Sequence, residues 1–319
     1  MGLDLVVLFE HPEWQKPLWA ALDARGVHYA KFDLTRAAFD PDAVPAAPLY
    51  FNQASPSAYV RGNARAVPFA LSFMRSLELN GARVLNGSRA FLLELRKTAQ
   101  AALLKRLGIA HPRTLAFNDL EVALQHWTGG WPALVKPEQG GSGARMFLLH
   151  SPEELRILLR DEALWWPDNL LMLQEYFPAV DPARGIIRME FLGGKLLYAM
   201  RVVSHGAFNL CPSVACNPEE GESHCAIPAT KPVEFYPYQG VPRGAVEAGE
   251  RIMAAGGLDV GGIEYLEAAD GRLVFYDVNA NSNLRAPIGQ AFGCDPFERV
   301  VDYLVAIITG APSTEAAAD

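Results

Sequence analysis

The chain has 319 residues, half of them hydrophobic, and a net charge of −8 from 28 basic and 36 acidic side chains. That balance suits a globular protein with a large core and more than one domain, and it argues against a nucleic-acid or anionic-membrane surface. Four cysteines are too few for a disulfide scaffold, the N-terminus lacks a basic leader region, and no apolar run approaches the ~20 residues of a membrane span, so a cytoplasmic protein is expected.

In chain order, LDLVVLF (3–9), a helical stretch over 13–25 and HYAKFD (28–33) predict a β-α-β opening and a parallel sheet. PLYFN (48–52) predicts another strand, and 65–79 has helical periodicity despite Pro68. Ser88 is placed to cap one amphipathic helix over 89–107, closed by Gly108. After residue 95 the texture changes to strands joined by tight turns. PALVKP (132–137) and RMFLLH (145–150) flank the loop EQGGSGA, and NLLMLQEYF (169–177) is a further strand. IIRMEFLGGKLLYAMRVV predicts a hairpin turning at Gly193-Gly194, and IEYLEAADGRLVFYDV a second one turning at Asp270-Gly271. Residues 212–240 read as a long loop and 312–319 as a disordered tail. Segments 138–143 and 212–240 hold few large apolar side chains and are expected to be the least ordered internal stretches without ligand.

The second hairpin ends in Asp277, Asn279, Asn281 and Asn283, oxygen-bearing side chains at a spacing of two that an extended chain presents on one face. Its turn sets Glu264 almost opposite Asp277, and directly opposed Cβ atoms lie about 4.5–5.5 Å apart. Two carboxylates that close, with the Asn279 amide beside them, suit a hard cation such as Mg²⁺; a solvated polar hairpin is the other reading of the same residues. Lys136 precedes Gly140, Gly141, Ser142 and Gly143, a loop whose backbone amides can cradle phosphate, although it matches neither a P-loop nor a dinucleotide fingerprint. Gln174, Glu175, Tyr176 and Phe177 end a strand that could present its backbone to a purine edge. Ser57 and Arg61 are candidates to reach a substrate from the first domain. Cys211, Cys216, His224 and Cys225 are poorly spaced for zinc.

Taken in order, Lys97 on a helix, Lys136 before the Gly-rich loop, Gln174-Glu175-Tyr176-Phe177, and Glu264 followed by Asp277-x-Asn279 resemble the ATP-grasp superfamily, and within it the RimK-type glutamate ligases and bacterial glutathione synthetases. The resemblance covers roughly residues 80–310. It implies an α/β plus α+β architecture: a pre-grasp α/β domain over 1–95, then two α+β subdomains, 96–182 and 183–311, clasping ATP between antiparallel sheets. It also implies that Glu264, Asp277 and Asn279 hold one or two Mg²⁺ ions (Mn²⁺ being an alternative), that Lys97, Lys136 and the 138–143 loop bind the triphosphate, and that 174–177 form the hinge along adenine. Arg188 and Arg201 stand at the family's substrate and phosphate arginine positions and Asn209 at its late nucleotide or metal position, while Arg285, outside the family pattern, is a candidate to bind a different carboxylate. The implied activity is an ATP-dependent carboxylate–amine ligase working through an acyl phosphate on small carboxylate and amine substrates, amino acids or peptides. A phosphotransferase acting on a hydroxyl and a non-catalytic nucleotide-binding protein are the alternatives, and homo-oligomerisation stays open.

The chain departs from the family pattern in four places, the last three in segments that touch substrate in the family. The family's two metal acids, commonly Asp then Glu, are exchanged here as Glu264 and Asp277. The Arg-Gly-Gly after its late asparagine is replaced by Leu-Cys-Pro-Ser-Val after Asn209, and an acid two residues before the Arg188 position by Ile186. The Ser-Pro-Gly after its metal asparagine becomes Asn281-Ser282-Asn283-Leu284-Arg285. Glutamate specificity is therefore not implied for this chain.

Overall fold

A computed structural model describes residues 2–141, 143–178, 185–204 and 233–311. Its first unit is a parallel sheet in the order β2-β1-β3-β4, made of β1 (Leu5–Phe9), β2 (Tyr29–Asp33), β3 (Leu49–Gln53) and β4 (Arg83–Leu85). Strand β1 is buried on both faces, as a strand covered by crossover helices must be. The helices are α1 (Pro12–Arg25) and α2 (Ala66–Leu79); Pro68 lies in the first turn of α2, where a missing N–H removes no intrahelical bond.

The single helix expected over 89–107 is two: α3 (Ser88–Leu95) and α4 (Lys97–Arg106), broken at Arg96, whose backbone is extended. Gly87, not Ser88, is the N-cap, because the Ser88 hydroxyl donates to Glu78 at 2.5 Å. Residue Arg96 gives α4 no cap of its own; the Glu138 carboxylate accepts from the Thr98 amide at 3.2 Å instead.

The second unit is antiparallel, in the order β5-β8-β6-β7, from β5 (Thr114–Phe117), β6 (Ala133–Pro137), β7 (Phe147–Leu149) and β8 (Leu171–Glu175), with α5 (Leu120–His126) and α6 (Pro152–Leu158). The third is antiparallel, β11-β10-β9-β12-β13: β9 (Ile186–Leu192), β10 (Lys195–Val203), β11 (Glu234–Pro237), β12 (Val260–Glu267) and β13 (Leu273–Asn279), followed by α8 (Ala286–Gln290) and α9 (Pro296–Thr309), with α7 (Arg243–Gly256) packed on the sheet. Strand β11 falls inside the stretch expected to be loop. Both hairpin turns form where the glycines predict, with Gly193, Gly194 and Gly271 at positive φ. The 312–319 tail and most of the 212–240 stretch lie outside the described residues.

The second sheet buries its own cluster, from Phe117 to Leu173. The first and third units, besides clusters of their own, share one: Leu5, Val7, Leu18 and Leu22 pack with Val260, Val300, Val301 and Leu304. Asn86, fully buried at a φ of 48°, joins the same two units. Its side chain accepts from the Asp259 and Val260 amides at 2.8 and 3.2 Å and donates to the Val260 carbonyl at 2.7 Å and to the Ala280 carbonyl. Among the described residues no helix is long and apolar enough to cross a membrane.

Candidate active site

A cavity of about 750 Å³ opens between the two antiparallel sheets and is closed on one side by α1 and the 55–57 turn of the first unit. On the third sheet Glu264 pairs directly with Asp277 in register. A bulge creates that pairing: Tyr265 opposes Phe275, so Tyr276 is the extra residue on β13. Without it Glu264 would face Tyr276. With it, both Tyr276 and Asp277 line the cavity, and the Tyr276 hydroxyl donates to Glu264 at 2.9 Å.

Three cations answer these carboxylates. Lys97, the first residue of α4, bonds Asp277. Arg188 on β9 donates to Glu264 at 2.8 Å and to Glu190 at 2.6 Å. Lys136, 6% exposed, donates to the Gln174 side chain at 2.9 Å. Burial would raise the Asp277 carboxyl, but Lys97, then Lys136 and Arg188, hold it below its ordinary value. Burial and the Asp277 charge push Glu264 up, against Arg188 and Tyr276. Lys136 is lowered to about 8 by burial and by Lys97. Burial would lower Arg188, yet Glu190 and Glu264 raise it, so it stays charged.

A divalent cation fits this donor set. Two opposed carboxylates and the Asn279 amide are hard oxygen donors, and the repulsion that raises Glu264 is what a cation between them relieves. Among the described residues no group of three or more His, Cys, Asp or Glu side chains converges, so the remaining ligands would be waters and substrate oxygens.

The Gly-rich loop leaves β6 with its first two residues held. Glu138 binds Arg96 at 2.9 Å as well as capping α4, and the Gln139 amide donates to Asp168 at 2.8 Å. Gly141 lies against the first unit: a Cβ there would meet Ser57 Cβ at 2.6 Å and Ser57 Cα at 2.9 Å. Only glycine allows the loop so close to that turn.

Of the residues predicted from sequence, Lys97, Lys136, Gly140, Gly141, Gly143, Gln174, Glu175, Tyr176, Phe177, Arg188, Glu264, Asp277, Asn279 and Arg285 all line this cavity. Asn281 and Asn283 line it too, beyond the end of β13. Ser142, Asn209, Cys211, Cys216, His224 and Cys225 lie outside the described residues. Arg201 does not join the site. It pairs with Ile187 whereas Arg188 pairs with Met200, so strand alternation puts the two arginines on opposite faces, and Arg201 stacks over Tyr238. Arg61 is likewise taken: it bonds Glu10 at 2.6 Å and Ser57 at 3.0 Å and lies over Trp14, while Ser57 itself lines the cavity.

Sequence reading missed Glu94, Glu138, Glu190 and Tyr276. The Arg-x-Glu spacing of 188–190 places both side chains on one strand face and was a usable signal. The bulge that turns Tyr276 inward has no such signature.

No protein-family model matches the chain. A probable alpha-L-glutamate ligase of Teredinibacter turnerae is 27% identical over 238 residues, 74% of this chain and 71% of that protein. The carbamoyl phosphate synthase large chain of Rubrobacter xylanophilus is 33% identical over 114 residues, which are 34% of this chain and only 10% of that protein. Among solved structures, a RimK domain ATP-grasp protein from Sphaerobacter thermophilus superposes with a TM-score of 0.68 at 16% identity, covering 94% of this chain and 98% of the other. The ATP-grasp ligase PsnB in complex with minimal precursor, Mg and ADP superposes with a TM-score of 0.62 at 17% identity, covering 97% and 99%. With its two antiparallel sheets facing one cavity, the chain has the ATP-grasp fold and is similar in sequence to a probable alpha-L-glutamate ligase.

Proposed function

We propose that the protein is an ATP-dependent carboxylate–amine ligase that forms an amide or peptide bond through an acyl phosphate and releases ADP and phosphate. One observation carries this reading: Lys97, Lys136 and Arg188 share a single cavity with the opposed pair Glu264–Asp277, beneath a glycine loop. Phosphoryl transfer needs positioned cations and little covalent chemistry from the protein. Similarity to a glutamate ligase and the Mg and ADP in PsnB point the same way.

In this reading Glu264, Asp277 and Asn279 hold Mg²⁺, which supplies charge neutralisation at the phosphates. Lys136 and Lys97 place point charges on the phosphate chain, and 174–177 flank the base. The 138–143 loop excludes water from the reactive acyl group. Arg188, fixed by Glu190 and Glu264, offers the Nη2 group, which has no hydrogen-bond partner, to a developing oxyanion. Arg285 lines the same cavity, over the Phe235 ring, where it can meet the substrate carboxylate. A cytoplasmic setting is consistent with ATP as co-substrate.

The test is incubation with Mg-ATP and a pool of the twenty L-amino acids, with phosphate release measured and products resolved by mass spectrometry. An ATP-dependent amide is expected. A phosphorylated hydroxyl product, or no turnover with any amino acid, would refute the ligase reading.

A further inference from the structure

Glu94 is a buried carboxyl in this cavity that none of the roles above uses. It sits in the last turn of α3, where the kink at Arg96 turns the chain into α4, and it is 3% exposed while lining the cavity. The kink is pinned. The Gln100 side chain donates to the Leu93 and Val278 carbonyls at 3.0 and 2.8 Å and accepts from the Val278 amide at 3.0 Å, tying α3 and α4 to β13. The Glu94 Oε2 oxygen has no hydrogen-bond partner, and the backbone N–H of Asn281 favours the ionised carboxyl. Lys97, three residues on, is spent on Asp277. A buried carboxyl with one unmatched oxygen is unsatisfied whether ionised or neutral, and a donor brought by a ligand would complete it.

We propose that Glu94 Oε2 receives the acceptor amine and takes its proton as the amide bond forms, which makes Glu94 the general base of the second half-reaction. This rests on the ligase reading above. The lone pair of the nitrogen forms the C–N bond, and the C–O bond to phosphate breaks. Inorganic phosphate leaves with that electron pair, and the proton shed by nitrogen goes to Glu94 Oε2. The product amide leaves and the carboxyl returns its proton to water.

The surroundings support this role. Burial raises the Glu94 carboxyl to about 8, with Asp277 adding to the rise and Lys97 and Arg188 opposing it. An acid of that strength accepts a proton from an alkylammonium far better than an ordinary carboxylate, and a base performs best when it titrates near the working pH. Asn281, whose backbone N–H favours the ionised carboxyl, lies in the Asn281-Ser282-Asn283-Leu284-Arg285 segment where the chain departs from the glutamate ligases. Ser282 in the same segment bonds Glu190. The base is thereby tied to the part of the pocket that differs from those relatives.

The experiment compares wild type with Glu94→Gln, both given Mg-ATP and the twenty-amino-acid pool, with and without hydroxylamine. Hydroxylamine is uncharged at neutral pH and attacks an acyl phosphate without a base. The variant is expected to form hydroxamate at the wild-type rate and to lose about 10²-fold or more in amide formation. Undiminished amide formation in the variant would overturn the assignment. Equal loss of hydroxamate and amide would overturn it as well, by making Glu94 a residue of the fold alone. If wild type forms neither product, the ligase reading falls first and this inference falls with it; hydroxamate in wild type isolates the failure to Glu94.

Discussion

Replacing Lys136 by methionine should stabilise the protein while weakening its hold on nucleotide. The ammonium is 6% exposed and has one hydrogen bond, to Gln174. Moving its titration from 10.5 to about 8 corresponds to roughly 3 kcal/mol against the charged form, at about 1.36 kcal/mol per tenfold. Methionine matches the stem and carries no charge. Its loss of the bond to Gln174 costs about 1 kcal/mol, which leaves a net gain of about 2 kcal/mol at neutral pH. That is a rise of a few degrees in Tm. The pH dependence carries the sign. Below about 8 the lysine is protonated in both folded and unfolded chains, and the wild type bears the full penalty. Between about 8 and 10.5 the folded chain sheds that proton before the unfolded chain does, so wild-type stability rises with pH and the advantage of the variant shrinks. Thermal melts at pH 7 and pH 10, with and without Mg-ATP, read all three effects. A variant that melts at or below wild type at pH 7, or whose advantage widens toward pH 10, would refute the reasoning. So would an equal ligand-induced rise in both proteins, because ligand stabilises in proportion to its affinity for the folded state.

Asp277→Asn should lower turnover by about 10²-fold or more, read as phosphate release. It also strips Lys97 of its carboxylate partner, so the apo protein should lose about 1–3 kcal/mol in a denaturant titration, against the gain that relief of carboxylate repulsion alone would give. Asn86→Ala leaves the buried amides of Asp259 and Val260 and the carbonyls of Val260 and Ala280 without their side-chain partner, and should cost about 3–5 kcal/mol by the same titration. Gly141→Ala forces a methyl onto Ser57 and should displace the loop, giving faster proteolytic cleavage at 138–143 and a higher KM for ATP with the melting temperature nearly unchanged.

Much of this was legible because local rules decide it. Gly193-Gly194 and Asp270-Gly271 set the two hairpin turns, and the second brings Glu264 to within one residue of Asp277 before the bulge completes the pairing. What sequence left hidden depends on long-range geometry. The break at Arg96 looks like continuous helix, since neither proline nor glycine marks it; the cap that stabilises α4 comes from Glu138, 42 residues away. The misplacing of Arg201 is a question of face, settled by pairing register and not by proximity along the strand. Glu94 sits among apolar helix residues, and only the fold turns it toward a cavity.

The shared core of the first and third units has a consequence for inheritance. Two stretches far apart in the chain complete one apolar interior, with Asn86 as a weld across it. A gene shuffled near residue 95 would bring together halves whose interiors had never been fitted to each other. The sheet spanning residues 114–175 closes on its own side chains and crosses no such seam. Over evolutionary time its interior can drift in sequence without the interiors of the other two units having to follow. Substrate preference that resides on the welded pair must instead change residue by residue.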